Sequence, residues 1–131
     1  MHIEEEDLYK VACHLDRADL RLHGITLDDL IERTPLGRIF INRAAELAKE
    51  STGYEWPGCG FSMQMDFYPN DTVLIFSERI EDYVYNLNQM AQTLPMDQKP
   101  LFEAMINQIT NASEDEARTI IRNFEENVKS V

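Results

Sequence analysis

The stretch FSMQMDFYPNDTVLIFSERI, residues 61–80, decides the fold of this chain. Its first eight residues alternate between apolar and polar side chains, which is typical of a strand that is buried on one face. A turn-forming Pro-Asn-Asp triplet follows at residues 69–71, and residues 73–76 are an apolar run. The stretch therefore predicts a β-hairpin. One face of its first strand carries Phe61, Met63, Met65 and Phe67, and the other carries Ser62, Gln64, Asp66 and Tyr68.

Upstream of the hairpin, the chain predicts one strand and a series of helices. Alternating apolar residues over 7–15 indicate the strand. Three helix boundaries are then marked by a glycine stop, a threonine N-cap and a Thr-Pro pair that opens a longer helix, at Gly24, Thr26 and Thr34-Pro35. The longer helix runs to about residue 51 with one apolar stripe, formed by Leu36, Ile39, Phe40, Ala44, Leu47 and Ala48. Residues 51–60 are rich in glycine around Trp56 and predict a loop.

Downstream of the hairpin, the sequence predicts only helices. Ser77 is placed to cap a helix whose apolar positions repeat at helical spacing until Pro95 ends it. A further helical stripe covers residues 101–109. Ser113 and Glu116 then have the spacing of a capping box that opens the last helix.

These elements predict an α+β protein in two parts. Residues 1–96 form a three-stranded, mostly antiparallel sheet with helices packed on one face, in the order β-α-α-β-β-α. Residues 97–131 form a helical hairpin. Two isolated helices of this length are marginal in water, so the hairpin is expected either to pack on the first domain or to mediate self-association.

The charge of the chain restricts its partners. Its 131 residues include 12 Lys and Arg against 24 Asp and Glu, a formal net charge of −12. Nucleic-acid phosphates and anionic membrane surfaces repel such a chain, so neither is an expected partner. The acidic start of the chain is expected to be a solvated terminus, and it lacks the layout of a secretory signal. We therefore expect a cytoplasmic protein with two reduced thiols, Cys13 and Cys59.

Groups suited to chemistry are few. Cys59 lies in a flexible Pro-Gly-Cys-Gly segment, but no histidine forms a recognisable signature with it. Cys13 and His14 are adjacent, so on a strand they face opposite sides and do not ligate one metal ion. The carboxylates at residues 28–32 are explained by the dipole of the helix that they open. We expect no catalytic residue, metal or cofactor; a binding module is favoured, and an enzyme that uses Cys59 is the most distant alternative.

The order and spacing of these segments resemble the N-terminal domain of the MecA adaptor family, negative regulators of genetic competence in Gram-positive bacteria. The similar segments are LRLHGITLDDL at 20–30, GRIFINRAAELA at 37–48 and the hairpin stretch at 61–80. The places of the family's Gly-Ile-Thr-Leu-x-Asp-Leu turn are held by Gly24, Ile25, Thr26, Leu27, Asp29 and Leu30. The resemblance covers about residues 8–94. It implies an adaptor whose N-terminal domain captures client proteins while a C-terminal domain docks on a Clp-type AAA+ unfoldase that feeds a protease.

The chain departs from that family after the first domain. The family's C-terminal domain is a further α/β unit, whereas residues 97–131 show no strand period, so the unfoldase-docking domain is expected to be missing. Client binding is expected at the outward face of the hairpin and at the loop aromatics, which are Tyr54, Trp56, Ser62, Gln64, Asp66 and Tyr68. The other interpretation of Trp56 is a lid on the core.

Two further expectations concern partners. Electrostatic steering by the net charge of −12 favours basic clients. The runner-up function is a stand-alone regulatory or structural homodimer that assembles through the C-terminal helices.

Overall fold

The structure is a computed structural model that describes residues 1–58 and 61–129. It confirms the α+β class, and its strands and helices within these ranges are β1 (His2–Asp7), β2 (Lys10–Asp16), α1 (Arg17–Leu22), α2 (Leu27–Ile31), α3 (Pro35–Ser51), β3 (Ser62–Phe67), β4 (Asp71–Ser77), α4 (Ile80–Thr93), α5 (Lys99–Asn111) and α6 (Glu114–Lys129). The chain divides into two compact units. The first unit is Met1–Trp56 with Met63–Phe76, and the second unit is Pro57–Ser62 with the residues from 77 onward.

The sheet has four strands in the order β1-β2-β4-β3, one more than the sequence predicts. The additional strand is β1, which pairs antiparallel with β2 and sets Ile3 opposite Cys13. The acidic terminus is exposed to solvent as expected, but it forms a paired strand that the sequence did not predict. Ile3 packs against the core while Glu4, Glu5 and Glu6 stay exposed, so pairing with β2 overrides the weak strand preference of glutamate. Charges on an edge strand also discourage pairing with further chains.

The first unit has one hydrophobic core between the sheet and its helices. Alternate residues of β2 and β4 supply the sheet side, namely Val11, Cys13, Leu15, Leu74 and Phe76. Leu20 of α1, Leu30 of α2 and Ile41 of α3 supply the helix side, together with the buried alanines of α3. The predicted packing of helices on one face of the sheet is thus observed in this unit.

The helix boundaries of the first unit follow the predicted signals. Gly24 has a φ of 68°, the left-handed conformation that ends a helix at low cost. Thr26 caps α2, since its Oγ1 accepts a hydrogen bond from the amide of Asp29 at 3.2 Å. The Asp29 carboxylate in turn accepts from the Thr26 amide at 3.0 Å and from the hydroxyl of Thr34 at 2.8 Å. Thr34 caps α3, so one aspartate connects the starts of two helices.

The second unit contains α4, α5 and α6 around a core of its own. The buried side chains of that core are Tyr83, Leu87, Ile106, Ile109, Ala117 and Ile121. The sequence places α4 in the first domain, with a boundary at residue 96. The compact units separate between Phe76 and Ser77 instead, because the apolar stripe of α4 packs on the two C-terminal helices.

The start of α4 also differs from the prediction. Ser77 ends β4, and Arg79 is the N-cap residue of α4. The Ser77 hydroxyl nevertheless serves this helix start, since it accepts from the Arg79 amide at 3.1 Å and donates to Asp82 Oδ2 at 2.6 Å.

Candidate interaction surface

The predicted contact residues Tyr54 and Trp56 belong to an aromatic cluster with Tyr9. The ring centroids of the three residues lie 5.8–5.9 Å apart. The Tyr54 hydroxyl accepts from the Tyr9 amide and donates to Glu5 Oε1, both at 3.0 Å. The Trp56 indole donates to the hydroxyl of Thr52 at 2.9 Å. The polar groups of both predicted residues are therefore bonded within the first unit.

The aromatic cluster is a brace for the N-terminal strand. Trp56 is half-buried and packs against the core of the first unit, which matches the interpretation of this residue as a lid. Tyr54 is also half-buried, and its partial burial raises the pKa of its hydroxyl. Because Tyr54 contacts both β1 and the turn that follows it, the cluster holds the edge of the sheet in place.

The hairpin residues divide between exposed and buried positions. Gln64 is exposed, and its side-chain amide donates to Asp66 Oδ1 at 3.0 Å. Tyr68 is 58% exposed at the turn between β3 and β4. Ser62 is only 8% exposed, so its predicted place on an outward contact face is wrong; it lies within 3.5 Å of the backbone oxygen of Ser77.

The predicted alternation of β3 holds best in the middle of the strand. Met63 and Met65 are half-buried and pack against the core of the first unit. Phe61 and Phe67, at the two ends, are exposed by more than a third. The hairpin thus offers scattered exposed residues rather than one continuous apolar face.

A larger apolar surface lies on the outer side of α3, where the sequence did not predict one. Leu36, Ile39, Arg43 and Leu47 follow one another at helical spacing and are all exposed; we name them the α3 row. Leu36 is 59% and Ile39 is 66% exposed. The core contacts of α3 come from a different side of the helix, which carries Ile41, Ala44, Ala45 and Ala48. The single stripe predicted for this helix therefore combined a buried side with an exposed one.

Further exposed apolar residues of the first unit lie on α1 and α2. Leu22, at the end of α1, is 87% exposed. The next residue, His23, places its ring 5.2 Å from the ring of Phe40, and this contact brings the end of α1 beside α3. On α2, Leu27 and Ile31 are also exposed.

The α3 row lies in the most basic part of an acidic chain. Residues 33–45 include Arg33, Arg38 and Arg43 and no Asp or Glu. All three arginines are exposed, and among the residues that the structure describes none of them forms an ion pair. Arg38 donates through Nε to the backbone oxygen of Arg33 at 2.8 Å. The positive charge beside the α3 row is therefore available to a partner.

The cysteines offer no accessible nucleophile within the described chain. Cys13 is buried in β2, and burial raises the pKa of its thiol to about 11. A thiol with that pKa is almost entirely protonated at neutral pH, and the thiolate is the reactive form. Cys59, the other candidate, lies outside the described residues.

Asp29 of the predicted acidic group and His14 both lie against partners within the first unit. Asp29 of the predicted acidic group has a lowered pKa, mainly because its carboxylate accepts from the Thr26 amide. His14 Nε2 lies 3.4 Å from a carboxylate oxygen of Glu4 on the neighbouring strand. Within residues 1–58 and 61–129, no three His, Cys, Asp or Glu side chains come together as a metal site would require.

None of the described helices is long and apolar enough to cross a membrane. The sequence and structure match no family model, no curated protein and no solved structure.

Proposed function

We propose that this protein is a cytoplasmic adaptor that captures client proteins for a Clp-type unfoldase and protease, as its resemblance to the MecA N-terminal domain implies. The observation that supports this proposal most is the exposure of large apolar side chains on α1, α2 and α3. The residues of α3 follow one another on one side of the helix, and a contiguous exposed apolar surface of this kind is typical of a site that a partner covers. The α3 row therefore replaces the aromatic loop as the proposed centre of client contact.

The buried state of Cys13 favours a binding role over thiol chemistry at that residue. Binding through shape and apolar area requires no reactive group, and a rigid scaffold increases the affinity that a given contact area provides. The braces described above supply such rigidity to the first unit, since Tyr54 holds the edge of the sheet and Asp29 joins the starts of α2 and α3.

The experiment that tests this function is site-specific photo-crosslinking in cells. A photoreactive amino acid replaces Ile39 in the α3 row or, as a matched control, Leu101 on α5, which is 74% exposed. We expect client proteins to crosslink at position 39 and not at position 101. We also expect the crosslinked proteins to be degraded more slowly when either this protein or the Clp unfoldase is deleted. Equal crosslinking at both positions, or unchanged degradation, would contradict the proposal.

A second candidate function is the stand-alone homodimer, and exposed apolar residues of the second unit favour it. Met96 and Leu101 are both more than two-thirds exposed, and Tyr85 of α4 is also exposed. Sedimentation velocity at increasing protein concentration tests this alternative. A dimer that Leu101→Glu dissociates and Ile39→Glu leaves intact would support assembly through the C-terminal helices, and a monomer at high concentration would exclude it.

A further inference from the structure

We propose that the α3 row binds a client segment that is both apolar and acidic, in the form of an amphipathic helix. This inference rests on the proposed client-capture function and specifies the chemistry of the captured segment.

The apolar part of this recognition follows from the exposed side of α3. Its apolar members all lie on one side of the helix, because Ile39 follows Leu36 by three residues and Leu47 follows Ile39 by eight. They therefore form a row rather than isolated contacts. A partner helix with apolar residues at matching spacing packs its side chains between those of the row. The half-buried Phe40, which follows Ile39 in the helix, adds apolar area at the side of the row.

The acidic part follows from Arg43, which lies within the apolar row. Ile39 lies one turn before Arg43, and Leu47 lies one turn after it. A partner that covers the two apolar side chains also removes water from the guanidinium between them. Such a desolvated cation requires a charged acceptor, and a carboxylate satisfies it with two parallel hydrogen bonds. A lysine on the partner would instead place two buried cations together.

The net charge of the protein does not reverse this local preference. Exposed charges are screened beyond about 8 Å at physiological ionic strength. No acidic residue occurs between Glu32 and Glu46, whereas Arg33, Arg38 and Arg43 fall within that interval. The first half of the α3 row therefore lies in a segment whose only charged residues are arginines, and the nearest carboxylate to Arg43 along the helix is that of Glu46, three residues on. The −12 charge acts on the approach of a whole client, and Arg43 acts on the segment that is bound.

The test uses two fluorescein-labelled synthetic helices with identical leucine positions, one with glutamate and one with lysine at the flanking positions. Fluorescence anisotropy measures their binding to the intact protein. We expect the glutamate peptide to bind roughly tenfold more tightly than the lysine peptide. Arg43→Glu should reverse this order, and Ile39→Glu should weaken both peptides. Leu101→Glu, a matched substitution in the second unit, should change neither affinity, and circular dichroism verifies that each variant is folded.

Three results would overturn the inference. The first is tighter binding of the lysine peptide to the unchanged protein. The second is peptide binding that Ile39→Glu leaves intact. The third is self-association that Ile39→Glu abolishes, because the row would then be covered by a second copy of the chain.

The experiments distinguish a failure of this inference from a failure of the proposed function. If clients that are degraded crosslink at position 39 but the protein binds the lysine peptide more tightly, the adaptor function stands and the acidic specificity is wrong. If the glutamate peptide binds as expected but no client changes its rate of degradation, the specificity of the row stands and the adaptor function is wrong.

Discussion

Gly37 shows how a single residue determines the packing of α2 on α3. A Cβ atom at this position would overlap the backbone oxygen of Asp29, so the two helices approach as closely as they do only because position 37 has no side chain. The sequence shows a glycine near the start of a helix but not the backbone that faces it. This contact supports the α3 row indirectly, because it sets where the start of α3 lies.

Gly37→Ala is therefore expected to destabilise the protein by about 1–3 kcal/mol, the usual cost of forcing extra atoms into a packed site. Chemical denaturation by urea, followed by circular dichroism, measures the free energy of unfolding. Asn42→Ala, at an exposed position of the same helix, is the matched control and should change it by less than about 0.5 kcal/mol. Equal stability of the two variants would show that α2 shifts freely to accept the new methyl group.

The capping carboxylate of Asp29 makes the free energy of unfolding depend on pH. Its pKa is lowered in the folded protein by hydrogen bonds from Thr26 and Thr34, so ionisation of this carboxylate favours folding. The stabilisation is present above the ordinary pKa of aspartate, near 4, and is lost as the pH falls through the lower folded value. The difference in the free energy of unfolding between the wild type and Asp29→Ala should therefore be larger at pH 7 than at pH 3.

The control for that measurement is Asp28→Ala. Asp28 lies in the same first turn of α2. Its carboxylate makes no hydrogen bond among those found in the described chain. It should show a smaller effect at pH 7. A difference for Asp29→Ala that stays constant from pH 7 to pH 3 would contradict the capping role of its carboxylate.

At the scale of elements, one apolar contact and two polar contacts attach β1 to the rest of the first unit, in addition to its pairing with β2. Ile3 packs against the core, the N-terminal ammonium lies 2.7 Å from Asp19 Oδ1, and Glu5 accepts from Tyr54. Ile3→Asp should release this strand without unfolding the first unit. Hydrogen exchange should then accelerate at the amides of β1, while those of β4 keep their protection.

Glu6→Ser is the matched substitution for this element, because Glu6 is exposed on the same strand. It should leave the exchange of β1 unchanged. Fast exchange of β1 in the wild type would contradict the assignment of residues 2–7 to a paired strand.

Local sequence patterns predict some of these elements and do not predict others. The hairpin and the caps at Thr26 and Thr34 depend on neighbouring residues, so local patterns predict them correctly. β1 was missed because its acidic residues gain strand structure only by pairing with β2. The exposed row of α3 was missed because Leu36 and Ile39 have the same apolar character as buried Ile41, and spacing alone does not show which side meets the sheet.

At the scale of the whole molecule, the strongest feature is its charge. In the proposed function, a net charge of −12 would steer clients of positive net charge during approach, and the α3 row would select the bound segment. The association rate of a basic client should fall as the salt concentration rises from 50 mM to 500 mM, because salt screens the steering. Stopped-flow fluorescence measures this rate. A rate that does not change with salt would show that the charge serves only solubility.

The grouping of α4 with the C-terminal helices is also a property of the whole chain. The apolar stripe of α4 is visible in the sequence. The residues that pack against it, which include Ile106 and Ile121, lie far along the chain. Residue spacing predicts that such a stripe is buried, not which element buries it. The compact units accordingly divide between Phe76 and Ser77, whereas the sequence pattern places the domain boundary at residue 96.

The most direct test of client capture is a pulse-chase measurement of the proteins that crosslink at position 39. Their half-lives are compared in cells that express the wild type, Ile39→Glu or Leu101→Glu. We expect Ile39→Glu to lengthen these half-lives as much as deletion of the protein does, and Leu101→Glu to leave them at the wild-type value. Half-lives that are the same in all three strains would contradict the account.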